Sequence, residues 1–468
     1  MKKGGKNRIK RRERDEAYSF WPFGRDSGRA GGGTSAERGS GMSGEAVRYQ
    51  VDHLIYAAGS GMWNTIRGGL TLTEPVDAEA LRYAVSLLPR RFPYFAVRLA
   101  REGERLYYAQ NDAPFVVSPE GRAVTLGSDE SNGHLLAFAY RGNTIYVDSS
   151  HFLMDGAGQF PLLKMLLFGY LHTVHPEERF DVAGIPRAGE AVRPEEATDR
   201  PYPAAPLPAE PLGETKRPAE VFRLEDQPQG YETMPGWTSY RLELRQKELM
   251  AYVSGTDGSP ATFLSSLLYR AITALHPENR LPVVCGMQHQ FRKALGNPWS
   301  HSSHVRIVPI LYPDCVRGRP LSLINTLGRG ALVIHSDEDH DRLTVNEHIR
   351  NEKRLENLTL AQKQNLMRRA ILEGIGTNTF EVSYTGRVSW SGLDRYLTCF
   401  TPYLDMTLSG GISVEIFARG ESFDVNIMQR NSDSRYVCYI RGLLEEMGLS
   451  SASAPPEHFE IPRFADPV

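Results

Sequence analysis

Seven prolines fall within residues 190–220, interleaved with charges of both signs. Proline lacks a backbone N–H and fixes φ, so neither a central strand nor a helix interior runs through such a stretch. The segment reads as a stiff linker or a long surface crossover, with one folded region before it and one after. At 468 residues the chain is long enough for both regions to hold a sizeable core.

Both regions mix the two periodicities. In the first, Asp77 reads as a helix N-cap ahead of Leu81, Val85 and Leu88 at helical spacing. Strands are expected at Tyr94–Leu99, Arg105–Gln110, His134–Tyr140 and Thr144–Asp148, and then an apolar helix at Gln159–His172 with Pro161 in its first turn. In the second, a strand at Thr238–Leu244 leads to a helix ending near Ser254. A helix at Ala261–Leu275 and strands at Leu281–Gln288 and Val305–Leu311 follow. Helices fill 320–335 and much of 344–372. The last hundred residues read as strands at Thr379–Ser383, Tyr403–Leu408, Ile412–Ala418 and Ser422–Met428, closed by a helix at Asp433–Met447. Such mixing predicts an α/β sandwich in each half.

Residues 1–46 carry no core-forming pattern. The first sixteen contain eight Lys or Arg against three Asp or Glu, and a Gly/Ser-rich stretch follows, so a disordered tail is expected. Net charge is −2, and the aromatic residues do not interleave with basic clusters, which argues against a nucleic-acid partner. No apolar run reaches the ~18 residues of a membrane span. The basic N-terminus lacks the apolar stretch of a secretory signal. The four cysteines are far apart and form no CxxC pair, which favours a reducing compartment, and a cytoplasmic location is expected.

The segment richest in chemistry is Asp148-Ser-Ser-His-Phe-Leu-Met-Asp-Gly-Ala-Gly158. A strand ends at Val147 or Asp148, and His151 follows in a loop where it can project into a cleft. Its ordinary pKa near 6.5 suits a general base. Asp155-Gly156 then turns the chain into a helix. Gly156 would allow a tight turn that aims the Asp155 carboxylate inward, towards an internal salt bridge rather than proton transfer. Residue types alone leave a second reading open, since a single histidine before a helix is commonly structural and Asp-Gly is a common turn dipeptide.

His151-Phe-Leu-Met-Asp155-Gly156, at a strand end and before an apolar helix, resembles the core motif of the HxxxDG acyltransferase superfamily. That superfamily includes chloramphenicol acetyltransferases, peptide-synthetase condensation domains, plant BAHD acyltransferases and alcohol acetyltransferases. Many relatives have two adjacent histidines. Here the first is Ser150, and the second, the base in that family, is His151. Ser259–Asn297 is similar to the start of the family's second half, with Arg292 at its arginine position. Phe380–Val388 is partly similar to the strand that carries an SNxG motif in bacterial relatives. No counterpart of the DFGWG motif is present. The resemblance spans residues 49–450.

The resemblance implies two chloramphenicol-acetyltransferase-like α/β sandwich domains, at 47–188 and 221–468, with 189–220 as crossover and an active-site tunnel between them. It implies transfer of an acyl group from an acyl-CoA or acyl-phosphopantetheine thioester to a small alcohol or amine, with His151 as base and no tightly bound cofactor. Asp155, Gly156 and Arg292 would support the site, with Asp155 and Arg292 paired. Ser302, Ser303 and Tyr384 are candidates for oxyanion or acceptor contacts. Two alternatives remain: a free-standing condensation-type enzyme joining carrier-bound substrates, or a non-catalytic module that docks an acyl-carrier protein. A monomer is expected.

Other constellations carry less. His335-Ser-Asp-Glu-Asp-His340 has metal-ligand types but reads as a solvated loop between helices, and no metal site is expected. His301 and His304 could line the acceptor site or lie in a polar loop. There is no GxSxG elbow and no GxxxxGK[ST] loop, which argues against an α/β-hydrolase and a P-loop nucleotide site.

Overall fold

The computed structural model describes residues 47–59, 63–197, 218, 220–224, 233–405 and 410–466. The basic tail at 1–46 and most of the proline-rich crossover lie outside them.

Three sheets organise the described residues. A five-stranded sheet runs in the order Leu397–Leu404, Thr65–Leu72, Thr144–Ser150, Leu136–Arg141, Val117–Ser118. An eight-stranded sheet begins with Val305–Tyr312, Val283–Gln290, Phe380–Arg387 and Ile412–Arg419, and continues through Ser422–Asn431 to Thr233–Arg245. Two short strands, Ser451–Ser453 and Glu457–Phe459, both pair with Thr233–Arg245. A small sheet joins Arg48–Tyr49, Arg105–Gln110 and Val97–Glu102. Phe380–Arg387 runs parallel to both of its neighbours, so each return to it needs a crossover.

Local chemistry sets the helices. Asp77 accepts from the backbone N–H groups of Glu79 and Ala80 and starts Ala78–Leu87, as its position predicts. Ser259 and Thr262 form a reciprocal capping box, with Pro260 at the first helical position, and open Pro260–Leu275. The His335–His340 stretch is a helix boundary: Asp337 accepts from the His340 N–H at 2.9 Å and caps Glu338–Leu355. No described helix is long and apolar enough to cross a membrane.

The two sequence regions exchange elements. Leu397–Leu404, from the 221–468 region, pairs antiparallel with Thr65–Leu72 of the 47–188 region. Leu355, Leu360, Met367, Trp390 and Phe400 pack into the same hydrophobic core as Leu70, Phe138 and Leu163. A second core lies between the other face of the eight-stranded sheet and its helices, around Leu267, Val382, Val414 and Ile440.

Three strands differ from the sequence expectation. The one expected at Tyr94–Leu99 begins at Val97, after a single 3-10 turn at Pro93–Phe95. Thr65–Leu72 is a strand where the sequence reading names no element; Gly68 and Gly69 lie mid-strand, and a Cβ on Gly68 would come within 3.3 Å of the Phe400 ring. The strand expected at Tyr403–Leu408 begins at Leu397, and residues 406–409 lie outside the described set. Pro402 within it is tolerated because this is the edge strand of its sheet.

Candidate active site

Thr144–Ser150 is a central strand of the five-stranded sheet, and it delivers His151 at its end. Its last turn is fixed by a buried bidentate pair, with the Arg67 guanidinium 2.7 and 2.8 Å from the Asp148 carboxylate oxygens. The His151 N–H donates to the Asn64 carbonyl at 2.8 Å, and the Asn64 N–H donates to Asp405 Oδ2 at 2.9 Å. The strand exchanged from the distant end of the sequence thus buttresses the histidine loop.

Nδ1 of the His151 ring lies 3.3 Å from the Ser303 hydroxyl, and the residue's own backbone carbonyl favours a proton on the ring. Either contact can take a ring proton from Nδ1, and with the proton assigned there the lone pair is on Nε2. Burial lowers the His151 pKa, opposed by the nearby Asp155 charge, so the neutral, basic form holds at neutral pH.

Asp155 caps the helix Gly156–Val174, accepting from the Gly158 N–H at 2.8 Å. Its Oδ1 is 2.6 Å from Arg292 Nη2, and its Oδ2 accepts from the His304 N–H at 3.0 Å. Arg292 and His304 flank the loop that joins Val283–Gln290 to Val305–Tyr312. The carboxylate therefore ties the histidine helix to a hairpin of the other sheet. Arg292 also donates to the carbonyls of Ser300 and Ser302 and to the Gln290 side chain. Burial by itself would raise the Asp155 pKa. The Arg292 charge and the hydrogen bonds outweigh it and hold the carboxyl at about 2.

Two details differ from the sequence reading. The helix starts at Gly156, three residues early, so Pro161 lies beyond its first turn. There it removes the N–H that would bond the Ala157 carbonyl, a group beside the cleft. Gly156 has no left-handed backbone, and nothing lies within 4 Å of where its Cβ would be, so no tight turn requires it. It lines the cavity, and its bare Cα leaves volume there. The glycine that sterics demand is Gly158, where a Cβ would sit 1.9 Å from the His301 carbonyl oxygen.

A cavity of about 270 Å³ opens between the sheets. His151, Asp155, Gly156, Arg292 and Tyr384 line it, with Phe160, Gln288, Gln290, Phe400, Glu415 and Phe417. Ser302 and Ser303 are not on its wall; Ser302 serves Arg292 through its carbonyl, and Ser303 contacts the His151 ring. Beyond Phe160 a second hollow, of about 630 Å³, is lined by Arg91, Lys164, Arg187, Arg193 and His301. His301 packs on Tyr94, its Nδ1 2.7 Å from the phenol oxygen, and burial pushes its pKa down to about 4. Away from both hollows, Asp52, His53 and His348 bring their ligand-type atoms within 4.8 Å of one another, a grouping that spacing in the sequence does not suggest.

Sequence reasoning missed Glu381 and Glu415, diagonal neighbours on adjacent strands on the cavity face of the eight-stranded sheet. Burial raises Glu381 to about 7, against hydrogen bonds from Asn378 and Gln288. Burial raises Glu415 to about 8, with a further push from Glu381 and an opposing hydrogen bond from Ser383. The signal was a lone acid inside an apolar strand, Ile412-Ser-Val-Glu-Ile-Phe-Ala418.

Ser150 is fully buried, and its hydroxyl accepts from the Phe152 N–H at 3.3 Å in the turn below the histidine. Ser150→Ala should cost about tenfold or less in turnover of a thioester substrate. A loss as large as that of His151→Ala would show that the serine supports the base directly.

No family model and no curated protein matches the chain by sequence. Solved structures do match. The F. graminearum TRI101 structure with coenzyme A and deoxynivalenol superposes with a TM-score of 0.57 at 13% identity, covering 87% of this chain and 100% of that one. The F. sporotrichioides TRI101 structure with coenzyme A and T-2 gives 0.53 at 11%, with the same coverage. The first condensation domain of the calcium-dependent antibiotic synthetase, with a substrate analogue, gives 0.52 at 14%, covering 85% of this chain and 96% of that one. The chain has the two-domain, chloramphenicol-acetyltransferase-like fold that these structures share.

Proposed function

We propose that this protein is an acyltransferase that moves an acyl group from a CoA or carrier-protein thioester to an alcohol or amine, with His151 as general base. The observation that carries the reading is the histidine itself: it stands at a strand end on the wall of a cavity built by both sheets, with Nδ1 engaged. Nε2 takes the proton from the acceptor as its oxygen or nitrogen attacks the thioester carbonyl. The tetrahedral intermediate then collapses, the C–S bond breaks, and His151 returns the proton to the departing thiolate. No covalent enzyme intermediate is needed. Of the three sequence candidates for oxyanion contacts, Tyr384 is the one on the cavity wall. The hollow beyond Phe160, where Lys164, Arg187 and Arg193 stand with Glu190 and with an Arg91–Glu196 pair, keeps an excess of cations that suits the phosphates of CoA or of a phosphopantetheine arm. The TRI101 structures hold coenzyme A together with a second small molecule, deoxynivalenol or T-2, which fits a two-substrate scheme.

Intact-mass screening of alcohol and amine libraries with short and long acyl-CoAs, with thiol release followed in parallel, tests the reading. Acceptor-dependent thiol release and acylated product support it. Binding of holo carrier protein without transfer from any thioester would overturn it in favour of a docking module.

The pH profile follows from the site. Burial lowers the His151 pKa below its ordinary 6.5, so the base form persists to more acid pH. With an alcohol acceptor, which does not itself titrate in this range, the acid limb of kcat/KM that belongs to the histidine should lie below pH 6.5. An acid limb above 6.5 would contradict the burial argument.

A further inference from the structure

We propose that the cavity holds a cation-binding subsite in which Glu415, backed by Glu381, receives an ammonium group of the acceptor, so that the acceptor is a diamine or polyamine acylated at its other nitrogen. This rests on the acyl-transfer reading and names the acceptor class for the same site.

The geometry comes from strand register. Phe380–Arg387 and Ile412–Arg419 run parallel, with Glu381 opposite Ser413 and Ser383 opposite Glu415. Side chains alternate across a sheet, so these four form one square on one face. Ile412, Val414 and Ile416, on the other face, pack into the apolar core. Glu415 lines the cavity together with His151, although it is only 5% exposed, and Glu381 is 8% exposed. The Ser413 hydroxyl beside them is 1% exposed and has no hydrogen-bond partner.

Buried carboxylates are ordinarily paired with a cation, because an unpaired charge out of water is costly. Among the described residues no arginine, lysine or histidine forms an ion pair with either acid. Glu415 meets the Ser383 side chain and the Glu381 charge, and Glu381 meets Asn378 and Gln288. Both acids therefore hold their protons up to near-neutral pH, and a ligand cation is the group that would let them ionise. The surrounding wall favours the same ligand. Phe160, Phe400 and Phe417 line the cavity, with Phe400 and Phe417 edge to face at 5.2 Å. Aromatic faces and edges accommodate a methylene chain, and the faces attract an ammonium.

The test uses the full-length protein and 1,n-diaminoalkanes from butane to octane, set against n-alkylamines of matching length. Calorimetry without donor measures binding of 1,6-diaminohexane to wild type and to Glu415→Gln. The amide copies the neutral acid in shape, so the variant should fold, which its melting temperature checks. Wild type should bind the diamine at least about tenfold more tightly than Glu415→Gln does. In turnover, the diamine-to-monoamine ratio of kcat/KM should fall at least about tenfold in Glu415→Gln. Equal binding by the two proteins, or an unchanged ratio, would overturn the proposal. Binding needs no chemistry, so a failure of acyl transfer and a failure of the subsite are read separately.

Discussion

His151→Ala should leave the melting temperature close to that of the parent and lower kcat by about 100-fold or more, because general-base help is worth about 10²–10⁴-fold. The ring contributes little to the fold. Its backbone N–H, not its side chain, bonds Asn64, and its side-chain contacts are its own carbonyl and the Ser303 hydroxyl. An alanine therefore orphans no buried charge. What it removes is the acceptor for the substrate proton in a cavity where neither carboxyl on the wall serves as base at neutral pH, and where the other histidine on the wall, His289, has its Nε2 against the Asp341 carboxylate at 3.2 Å. Asp155 is held at about 2 by Arg292 and its hydrogen bonds, which makes it a very weak base. Glu415 is raised by burial to about 8, so it carries a proton already. The loss should fall on kcat with KM little changed, the pattern of an interaction made in the transition state. Near-parental turnover by a folded His151→Ala protein, measured as thiol release, would remove the central claim.

The place of that histidine was legible in the sequence because local signals agreed around it, while its role as base came from the resemblance. A strand pattern ended, an Asp-Gly dipeptide followed, and a strongly apolar helix began, all within about twenty residues. Arg292 was legible only through resemblance. It is 137 residues away from Asp155, and no periodicity spans that separation. The exchanged strand was not legible. Leu397–Leu404 contains threonines, a cysteine and a proline and lacks clean alternation, and its partner carries two adjacent glycines. Their pairing is decided by the sheet edge they cover, which is a tertiary fact. Gly156 was given a turn role because Asp-Gly is a turn dipeptide. The structure gives the steric role to Gly158, where the His301 backbone passes. That contact joins two loops distant in sequence, so only the folded chain reveals it. The carboxyl pair was overlooked for the opposite reason: Glu381 and Glu415 sit in strands that were correctly expected, and neither strand's own pattern shows that the other brings a second acid to the same face.

Asp155 and Arg292 should prove strongly coupled. Removing one member of a buried pair typically costs about 3–5 kcal/mol, because the other charge stays buried without its partner. The two single losses should differ in kind. Asp155→Ala removes a helix cap, the acceptor for the His304 N–H, and the anion, while Arg292 keeps three acceptors in Ser300, Ser302 and Gln290. Arg292→Ala leaves Asp155 with two backbone donors and no counter-charge. The cap and the His304 contact are lost with Asp155 whether or not Arg292 is present, so only the charge pairing appears as coupling. A double-mutant cycle in urea should therefore show a coupling of about 1–3 kcal/mol, and additivity within about 0.5 kcal/mol would sink the pairing as a source of stability. Acid supplies an independent check. The Asp155 carboxyl titrates near 3.8 when unfolded and at about 2 in the fold, so its contribution is full above 3.8 and is lost as pH falls towards 2. Asp155→Asn, which keeps a capping oxygen but no charge, should flatten the stability profile in that window. It should also lower turnover, because the same carboxylate joins the histidine helix to the hairpin of the other sheet. His151 would still be held by its Asn64 and own-carbonyl contacts, so the activity lost in Asp155→Asn measures how much catalysis depends on the sheets' relative placement rather than on the base alone.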